Sequence, residues 1–435
     1  MSQKFRKWPL ALILLSVACS HKEASAPEPA SNPAFNAFID DHFKLYFAMY
    51  PTNGTAAGLH EYDRQIENFE ASRIQARINE IKGLLSKLDG LRGQKLSESN
   101  TIDAQLIDSQ LRSELQDLEV IQSWKTNPMV YVGLPGAAVD GLMKRNFAPA
   151  PERLGSITVR LKGVDPLLRN MRANVQNPPK EFTDLAMRMA KGSVGFFKST
   201  LPDWAKGIEG VDESTRQQFA AANATAVKAF EDAARWLEHD LMPKSKGAYA
   251  IGATNYADKL KYDEMVEIPL PKLLEIGERN LEKDYRDFIE TAKKIDPKKT
   301  PAQVMASLSN DHPTEDKLLD FAKQTLEGAR QFLRDKKIID LPSEIRPQVL
   351  ETPPYARSGT FASMDTPGAY ERKATEAFYY VTPPEADWTP KHKEEHLRLY
   401  NRPVLDVITI HEVYPGHYTQ FLYAPRYPTK ARKLI

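Results

Sequence analysis

The residues best suited to chemistry form the segment His411-Glu412-Val413-Tyr414-Pro415-Gly416-His417. A His-Glu pair on a helix is the first half of a pattern by which zinc peptidases bind their metal, and the Glu serves as general base toward the attacking water. The apolar run from Val404 to Ile410 predicts a helix that carries the pair. The sequence therefore predicts Zn²⁺ as cofactor, His411 and His417 as its ligands, and Glu412 as the catalytic base.

The spacing of the two histidines departs from the common pattern, because the second His follows the first by six residues and not by four. Six residues of a straight helix rotate by roughly 600°, which leaves the two side chains about 120° apart. Pro415 cannot donate a hydrogen bond to the carbonyl of His411, and Gly416 accepts unusual dihedral angles. We expect a kink or bulge at this pair that turns His417 back toward His411. The alternative is a helix that ends at Pro-Gly, with two histidines that are merely solvated.

A catalytic zinc normally has three protein ligands and a water molecule. Residues 413–435 contain no Asp or Glu, so the third ligand is not a carboxylate that follows the motif. Asp406, Glu395 and Asp387 could substitute, although their spacing gives no support for this. A tyrosine hydroxyl can stabilise the oxyanion that forms during hydrolysis. The sequence offers four candidates and does not choose among them: Tyr370, Tyr379, Tyr380 and Tyr418.

The remaining histidines have simpler explanations. We interpret His42 and His60 as packing or hydrogen-bonding residues, His239 as part of a solvated face, and His312 as a loop residue. His392 and His396 stand at helical i, i+4 spacing with two glutamates between them, and a charged, solvated helix explains them better than a surface metal site.

The N-terminus has the features of an export signal. A basic start is followed by the apolar run from Trp8 to Ala18, which is too short to cross a bilayer. Ser16-Val17-Ala18-Cys19 resembles a bacterial lipobox, with Ser16 where Leu is commoner, and Cys19 is the single cysteine of the chain. We predict a lipoprotein signal peptide over residues 1–19, with lipidation of Cys19 and membrane attachment through that anchor. A simple signal peptide that is cleaved near Ala18 is the alternative. Residues 20–33 read as a disordered tether.

The body of the chain, residues 34–435, reads as one helical domain. Apolar residues recur at spacings of three and four in segments separated by proline and glycine. The segments are Phe35–Phe47, Ile66–Leu88, Ile102–Trp124 with Asn100 or Thr101 as N-cap, Pro151–Val164, Phe182–Phe197, Glu213–Leu241, Leu270–Ala292, Glu315–Lys336 with Thr314 as N-cap, His392–Tyr400 and Leu405–Tyr414. Pro135-Gly136 interrupts a further apolar stretch, Met129–Met143. The proline-rich region from Leu341 to Pro390 favours short strands.

The fold class that follows is mainly α, a large multi-helix domain with a small strand region before the zinc motif. The 59 basic and 58 acidic residues balance to a net charge of +1, which argues against a nucleic-acid partner. With one cysteine, no internal disulfide can form.

The segment from Thr409 to Gln420 resembles the signature of the domain of unknown function 885 (DUF885) family, whose members are helical bacterial proteins, often lipoproteins, placed among the thermolysin-like zinc peptidases. Gly58–Asp63, Asp365–Tyr370 and Phe378–Val381 are similar to other stretches of that family, and the likeness covers most of Phe35–Ile435. The resemblance implies a helical fold around a central cleft, zinc ligation by His411 and His417, and Glu412 as base.

Two positions depart from the family pattern. Members often have a second His where this chain has Tyr418. The family also continues to a Glu-Gly-Trp-Ala segment, whose Glu resembles the third zinc ligand, so we expect this chain to be a truncated form of a longer protein. The predicted function is that of an exported, lipid-anchored zinc peptidase that acts on peptides and is inactive if the third ligand is missing. The alternatives are a non-catalytic envelope lipoprotein or inactive fragment, and a metal hydrolase of esters or non-peptide amides.

Overall fold

The computed structural model describes residues 32–94 and 96–435. The predicted signal segment, Cys19 and nearly all of the predicted tether lie outside the described residues. Within the described part the chain is mainly helical, with one small three-stranded sheet, as the sequence predicts. No helix in these ranges is both long enough and apolar enough to cross a membrane.

The first half of the described chain packs around one large apolar core. Asn32 caps the first helix, and its side chain accepts a hydrogen bond from the backbone N–H of Phe35. The core is built by residues at helical spacing, such as Leu161, Val164 and Leu168 of the longest of these helices. The helices are Pro33–Met49 (α1), Pro51–Ala56 (α2), Ala71–Arg92 (α3), Glu98–Gln116 (α4), Ser123–Thr126 (α5), Met129–Lys144 (α6), Ala150–Asn174 (α7), Lys180–Gly195 (α8), Leu201–Lys206 (α9) and Glu213–Trp236 (α10).

The second half contains the sheet and the motif. Its helices are Ala253–Glu264 (α11), Leu270–Ile295 (α12), Pro301–Leu308 (α13), Leu318–Lys336 (α14), Pro390–Leu399 (α15), Arg402–Glu412 (α16), His417–Tyr423 (α17) and Lys430–Leu434 (α18). The strands are Gln348–Glu351 (β1), Ala362–Asp365 (β2) and Phe378–Val381 (β3). A second apolar core joins α14, the sheet and α15 to α17.

The sheet has the order β1-β3-β2. The central strand β3 is buried at all four residues; it pairs parallel to β1 and antiparallel to β2. In the antiparallel pair Met364 lies opposite Tyr379 and Asp365 opposite Phe378. Strand β2 therefore lies at one edge of the sheet.

Helix α12 differs from the others in how little of it is covered. Ala292 is its one buried residue. Its large apolar side chains recur every seven residues along one stripe, and in the described structure Leu274, Leu281, Phe288 and Ile295 are all exposed.

Several predicted boundaries are wrong. Ser97, and not Asn100 or Thr101, caps α4, since its hydroxyl accepts the N–H of Asn100. Helix α6 continues through Pro135 and Gly136 without a break. A Cβ at Gly136 would lie 2.6 Å from the ring of Tyr355, so the glycine allows close packing and does not mark a turn. Thr314, by contrast, does occupy the predicted N-cap position, at the start of a short 3₁₀ turn that leads into α14, although its hydroxyl bonds to Asp316 and not to a backbone N–H.

Candidate metal centre

Helix α16 carries the His-Glu pair at its C-terminal end. An N-terminal cap and two buried side chains hold the helix in place. The side chain of Asn401 accepts the N–H of Val404 and caps the helix. Leu405 and Thr409 are buried. The hydroxyl of Thr409 lies 3.0 Å from that of Thr325 in α14 and 3.2 Å from that of Tyr379 in β3. These contacts set the rotation of α16 against the sheet and thereby the direction of the residues that follow.

The chain breaks its helical path between Glu412 and His417, where the sequence predicts a kink. The N–H groups of Val413 and Tyr414 both donate to the carbonyl of Thr409. The carbonyl of Val413 accepts from the N–H and the hydroxyl of Thr419, which lies in α17. A new helix thus starts at His417, with its first turn tied to the last turn of the old one.

Gly416 is required for this crossing. A Cβ built on it would lie 1.7 Å from the carbonyl oxygen of His411 and 2.5 Å from that of Ile410. No side chain fits at such distances, so residue 416 has to be a glycine for α17 to begin at His417.

The crossing brings the two imidazoles together. The ring centroids of His411 and His417 are 4.8 Å apart, and the rings are nearly perpendicular at 85°. Two nitrogens on a tetrahedral zinc, each about 2.0–2.1 Å from the metal, are roughly 3.3 Å apart. A centroid separation near 5 Å agrees with that spacing. Both residues are exposed, so a metal ion can reach them from solvent.

Glu412 is half-buried beside this pair. Burial raises the pKa of its carboxyl group. The imidazoles of His417 and His411 and the backbone N–H of Met364 favour the charged form and oppose the effect of burial without cancelling it. A carboxylate whose pKa is raised is a stronger proton acceptor, which suits a general base.

Met364 belongs to the edge strand, and its N–H faces away from the sheet. Thr382 donates to the carbonyl of Phe361, which makes Phe361–Thr382 a hydrogen-bonded pair of the antiparallel ladder. Alternation then directs the N–H groups of Ala362 and Met364 away from β3. Glu412, which takes the N–H of Met364, therefore lies at the outer edge of β2.

The described residues bring no third ligand to the two histidines. They contain no group of three His, Cys, Asp or Glu side chains arranged to hold a metal ion. Asp406 instead lines a groove between α14 and α16, and Glu395 lies near Lys391, at 3.8 Å, on the surface of α15. The fit to zinc in this part of the chain thus consists of two imidazoles and a base.

Three of the four tyrosine candidates for an oxyanion donor have structural partners. The hydroxyl of Tyr379 meets Thr409, that of Tyr418 donates to the carbonyl of Ile345 at 2.7 Å, and that of Tyr380 accepts from Lys144 at 3.2 Å. Packing accounts for these three residues.

His60 has a larger role than the sequence indicates. Its Nδ1 lies 3.0 Å from Asp63 and its Nε2 3.0 Å from Glu371, and its ring stacks on Phe147 at 4.0 Å. Local spacing could have shown the Asp63 contact, but the Glu371 contact joins residues 311 positions apart. The ring therefore fastens the segment after β2 to the N-terminal helices.

Glu371 forms the other half of this fastening. One of its oxygens accepts the N–H groups of Arg372, Lys373 and Ala374. Burial alone would raise the pKa of this carboxyl group, but those N–H groups together with His60 outweigh burial and lower the pKa. The carboxylate is thus ionised and fully engaged.

The sequence profile of a bacterial protein family of unknown function, DUF885, matches residues 51–435. The chain belongs to this family. Among curated protein sequences no match is found. A solved structure, described as a candidate lipoprotein of unknown function from Shewanella oneidensis, is 26% identical in sequence, with a TM-score of 0.66. That match covers 93% of this chain and 74% of the other.

A second solved structure, a candidate lipoprotein from Colwellia psychrerythraea, is 13% identical with a TM-score of 0.68. That match covers 91% of this chain and 74% of the Colwellia chain. At this identity the likeness shows the fold alone. Both structures confirm the helical architecture within which the His-Glu motif is placed.

Proposed function

We propose that this DUF885 protein is a zinc-dependent peptidase. The observation that carries the proposal is the meeting of two perpendicular imidazoles, 4.8 Å apart, beside a carboxyl group whose pKa is raised by burial. Two of the ligands and the base that metal-assisted hydrolysis needs are thereby on one surface. His411 and His417 would hold the metal, and Glu412 would act on the attacking water.

In the proposed reaction Glu412 would transfer the proton. Glu412 accepts a proton from the water as it attacks and then delivers that proton to the leaving amine. The two imidazoles and the N–H of Met364 favour the charged form of its carboxylate, which is the form that accepts the proton. Zinc, when bound, supplies Lewis-acid chemistry, because it acidifies water and polarises a carbonyl group.

The free edge of β2 favours a peptide over other amides or esters. On the outward side of β2, Glu412 takes the N–H of Met364, and the hydroxyl of Thr360 donates to the carbonyl of Ala362. The N–H of Ala362 and the carbonyl of Met364 remain to bond an extended peptide, which is a general mode of peptide recognition. Among the described residues no strand pairs with this edge. A peptide bound there would pass Glu412, so that recognition of the backbone and hydrolysis would occur at one place.

For location, we propose export and attachment to the bacterial cell envelope through lipidated Cys19. The support is the lipobox-like sequence and the description of both comparison structures as candidate lipoproteins. A lipid anchor and a tether would keep the helical body outside the cytoplasm, near peptide substrates of the envelope.

A non-catalytic envelope lipoprotein is the second candidate function. It is favoured by the lack of a third metal ligand among residues 32–94 and 96–435. Two imidazoles alone bind zinc weakly, and a weakly held metal would not support catalysis.

The deciding experiment is a measurement of zinc content and peptide hydrolysis on the purified chain. We expect one zinc per chain, which is lost in His411→Ala and in His417→Ala. Glu412→Gln should retain zinc and lose hydrolysis. His239→Ala, an exposed histidine on another surface, is the matched control and should change neither.

Zinc that stays bound in His411→Ala would place the metal elsewhere and refute the proposed centre. A chain without zinc and without hydrolysis would support the non-catalytic function. Esters cleaved in preference to peptides would support the third possibility, a hydrolase of another class.

A further inference from the structure

A second feature lies next to the proposed centre: a cavity of about 300 Å³ between α17 and the loop that follows β2. We name it the Phe421 cavity. Its wall is mostly apolar, and the apolar side chains are Ile345, Pro367, Tyr418, Phe421, Leu422 and Pro425. Cavities of this character bind apolar groups and use a few polar side chains for orientation.

The Phe421 cavity adjoins the proposed centre along two elements, helix α17 and strand β2. On α17, Phe421 follows His417 by one turn, and the two ring centroids are 6.5 Å apart. On the strand side, the cavity wall begins at Thr366, two residues after Met364. At about 3.3 Å per residue this is roughly 7 Å along the edge on which Glu412 lies. A peptide lying along β2 would therefore place one end in the cavity.

Arg372 lies in the wall of this cavity and makes no ion pair with any described residue. Its Nη1 donates to the carbonyls of Ala369 and Glu371, at 3.3 and 3.5 Å. Glu371 also lines the cavity, but its carboxylate oxygens are directed elsewhere: one accepts three backbone N–H groups and the other lies 3.0 Å from Nε2 of His60. The guanidinium group is thus held by its own turn and keeps free N–H groups.

We propose that the Phe421 cavity binds the C-terminal residue of a peptide, with an apolar side chain inside it and the terminal carboxylate on Arg372. Arginine suits this role, because its planar N–H groups match a carboxylate in a charge-assisted pair. The substrate class is then short peptides with a free C-terminus and an apolar last residue. Cleavage of such peptides rests on the proposed function, whereas their binding does not.

The test compares the binding of acetyl-Ala-Phe with a free carboxylate and the same dipeptide as its C-terminal amide. Calorimetry is carried out on the Glu412→Gln protein with equimolar zinc, so that no hydrolysis occurs. We expect the acid to bind about tenfold more tightly than the amide, as one charge-assisted hydrogen bond allows. Arg372→Met should remove this preference, and Arg372→Lys should retain part of it.

Lys373→Met is the matched control, since Lys373 is the neighbouring exposed cation and does not line the cavity. It should leave the acid preference unchanged. Phe421→Ala should weaken acetyl-Ala-Phe more than acetyl-Ala-Gly, because the ring forms part of the wall. Far-ultraviolet circular dichroism checks that each variant is folded.

An acid preference that survives Arg372→Met, equal binding of acid and amide, or no binding of either peptide would overturn the assignment of the subsite. The outcomes for the two proposals are separable. An Arg372-dependent preference in a protein that does not hydrolyse peptides would leave the subsite intact and refute the peptidase. Hydrolysis at the same rate for the acid and the amide, and in the Arg372→Met variant, would support the peptidase and refute the subsite.

Discussion

Gly416→Ala is the sharpest test of how the His pair is built. The added methyl group would start 1.7 Å from the carbonyl oxygen of His411, whereas real contacts of this kind are not shorter than 3.0 Å. The backbone would have to open by more than 1 Å at the point where α17 leaves α16. Because the two rings sit on opposite sides of this crossing, the same movement would spread them.

The expected result has two parts. The free energy of unfolding should fall by about 1–3 kcal/mol, as overpacking against rigid backbone does. Zinc affinity, measured by competition with a chromophoric chelator, should fall by roughly 10–100-fold, the range for changes that misplace ligands without removing them.

Gly328→Ala in α14 is the matched control. A Cβ at Gly328 meets no atom within 4 Å, so the variant should keep its zinc affinity and gain up to about 1 kcal/mol from the better helix propensity of alanine. If Gly416→Ala has wild-type stability and zinc affinity, the crossing at position 416 does not position the histidines, and the explanation given for the six-residue spacing is wrong.

Three further predictions concern stability, measured as the free energy of unfolding in denaturant. Thr409→Val should cost about 1–3 kcal/mol, because it leaves the buried hydroxyl of Tyr379 without its partner. Arg77→Met should cost about 3–5 kcal/mol, since Arg77 is fully buried and holds Glu114 through two bonds of 2.7 Å. Burial chiefly lowers the pKa of His42 from 6.5 to about 4, so the folded protein binds its proton less readily than the unfolded chain. Stability should therefore be lost as the pH falls from about 6.5 to about 4, by on the order of 3 kcal/mol from this residue, and His42→Gln should remove that part of the loss.

Exposed counterparts serve as controls for these three predictions. Thr225→Val removes a hydroxyl from the surface of α10, and Lys206→Met removes one partner of an exposed ion pair. Each should change stability by less than about 1 kcal/mol. His239→Gln should leave the pH dependence unchanged. Equal effects at buried and exposed positions would contradict the burial on which the predictions rest.

The helical class and the position of the strands could be predicted because apolar periodicity is a local property. The stripe from Phe35 to Phe47 and the alternation of prolines with aromatic residues before the motif depend on neighbours within a few positions. The prediction of an interruption at Pro135-Gly136 is wrong for the same reason. The packing of Gly136 against Tyr355 involves residues far apart in sequence, and no local signal separates a buried Pro-Gly from a turn.

In the candidate site, too, the features that depend on local sequence could be predicted and those that depend on tertiary contacts could not. The kink between His411 and His417 was predictable, because proline and glycine act on the backbone where they stand. The partners of Glu412 were not, because Met364 reaches it only through the edge position of β2 in the sheet. The His60–Glu371 contact and the Phe421 cavity likewise depend on tertiary neighbours.

The bare stripe of α12 has a consequence for how the protein should unfold. Most helical stability in proteins comes from the packing of an apolar face, and α12 contributes a single buried residue, Ala292, to such packing. Its 26 residues gain little from the rest of the molecule. Their amide hydrogens should exchange with deuterium long before those of α7, whose buried residues lie at the centre of the first core. On heating, a gradual loss of ellipticity from α12 should precede the cooperative transition of the two cores, so that circular dichroism and tryptophan fluorescence would report different midpoints.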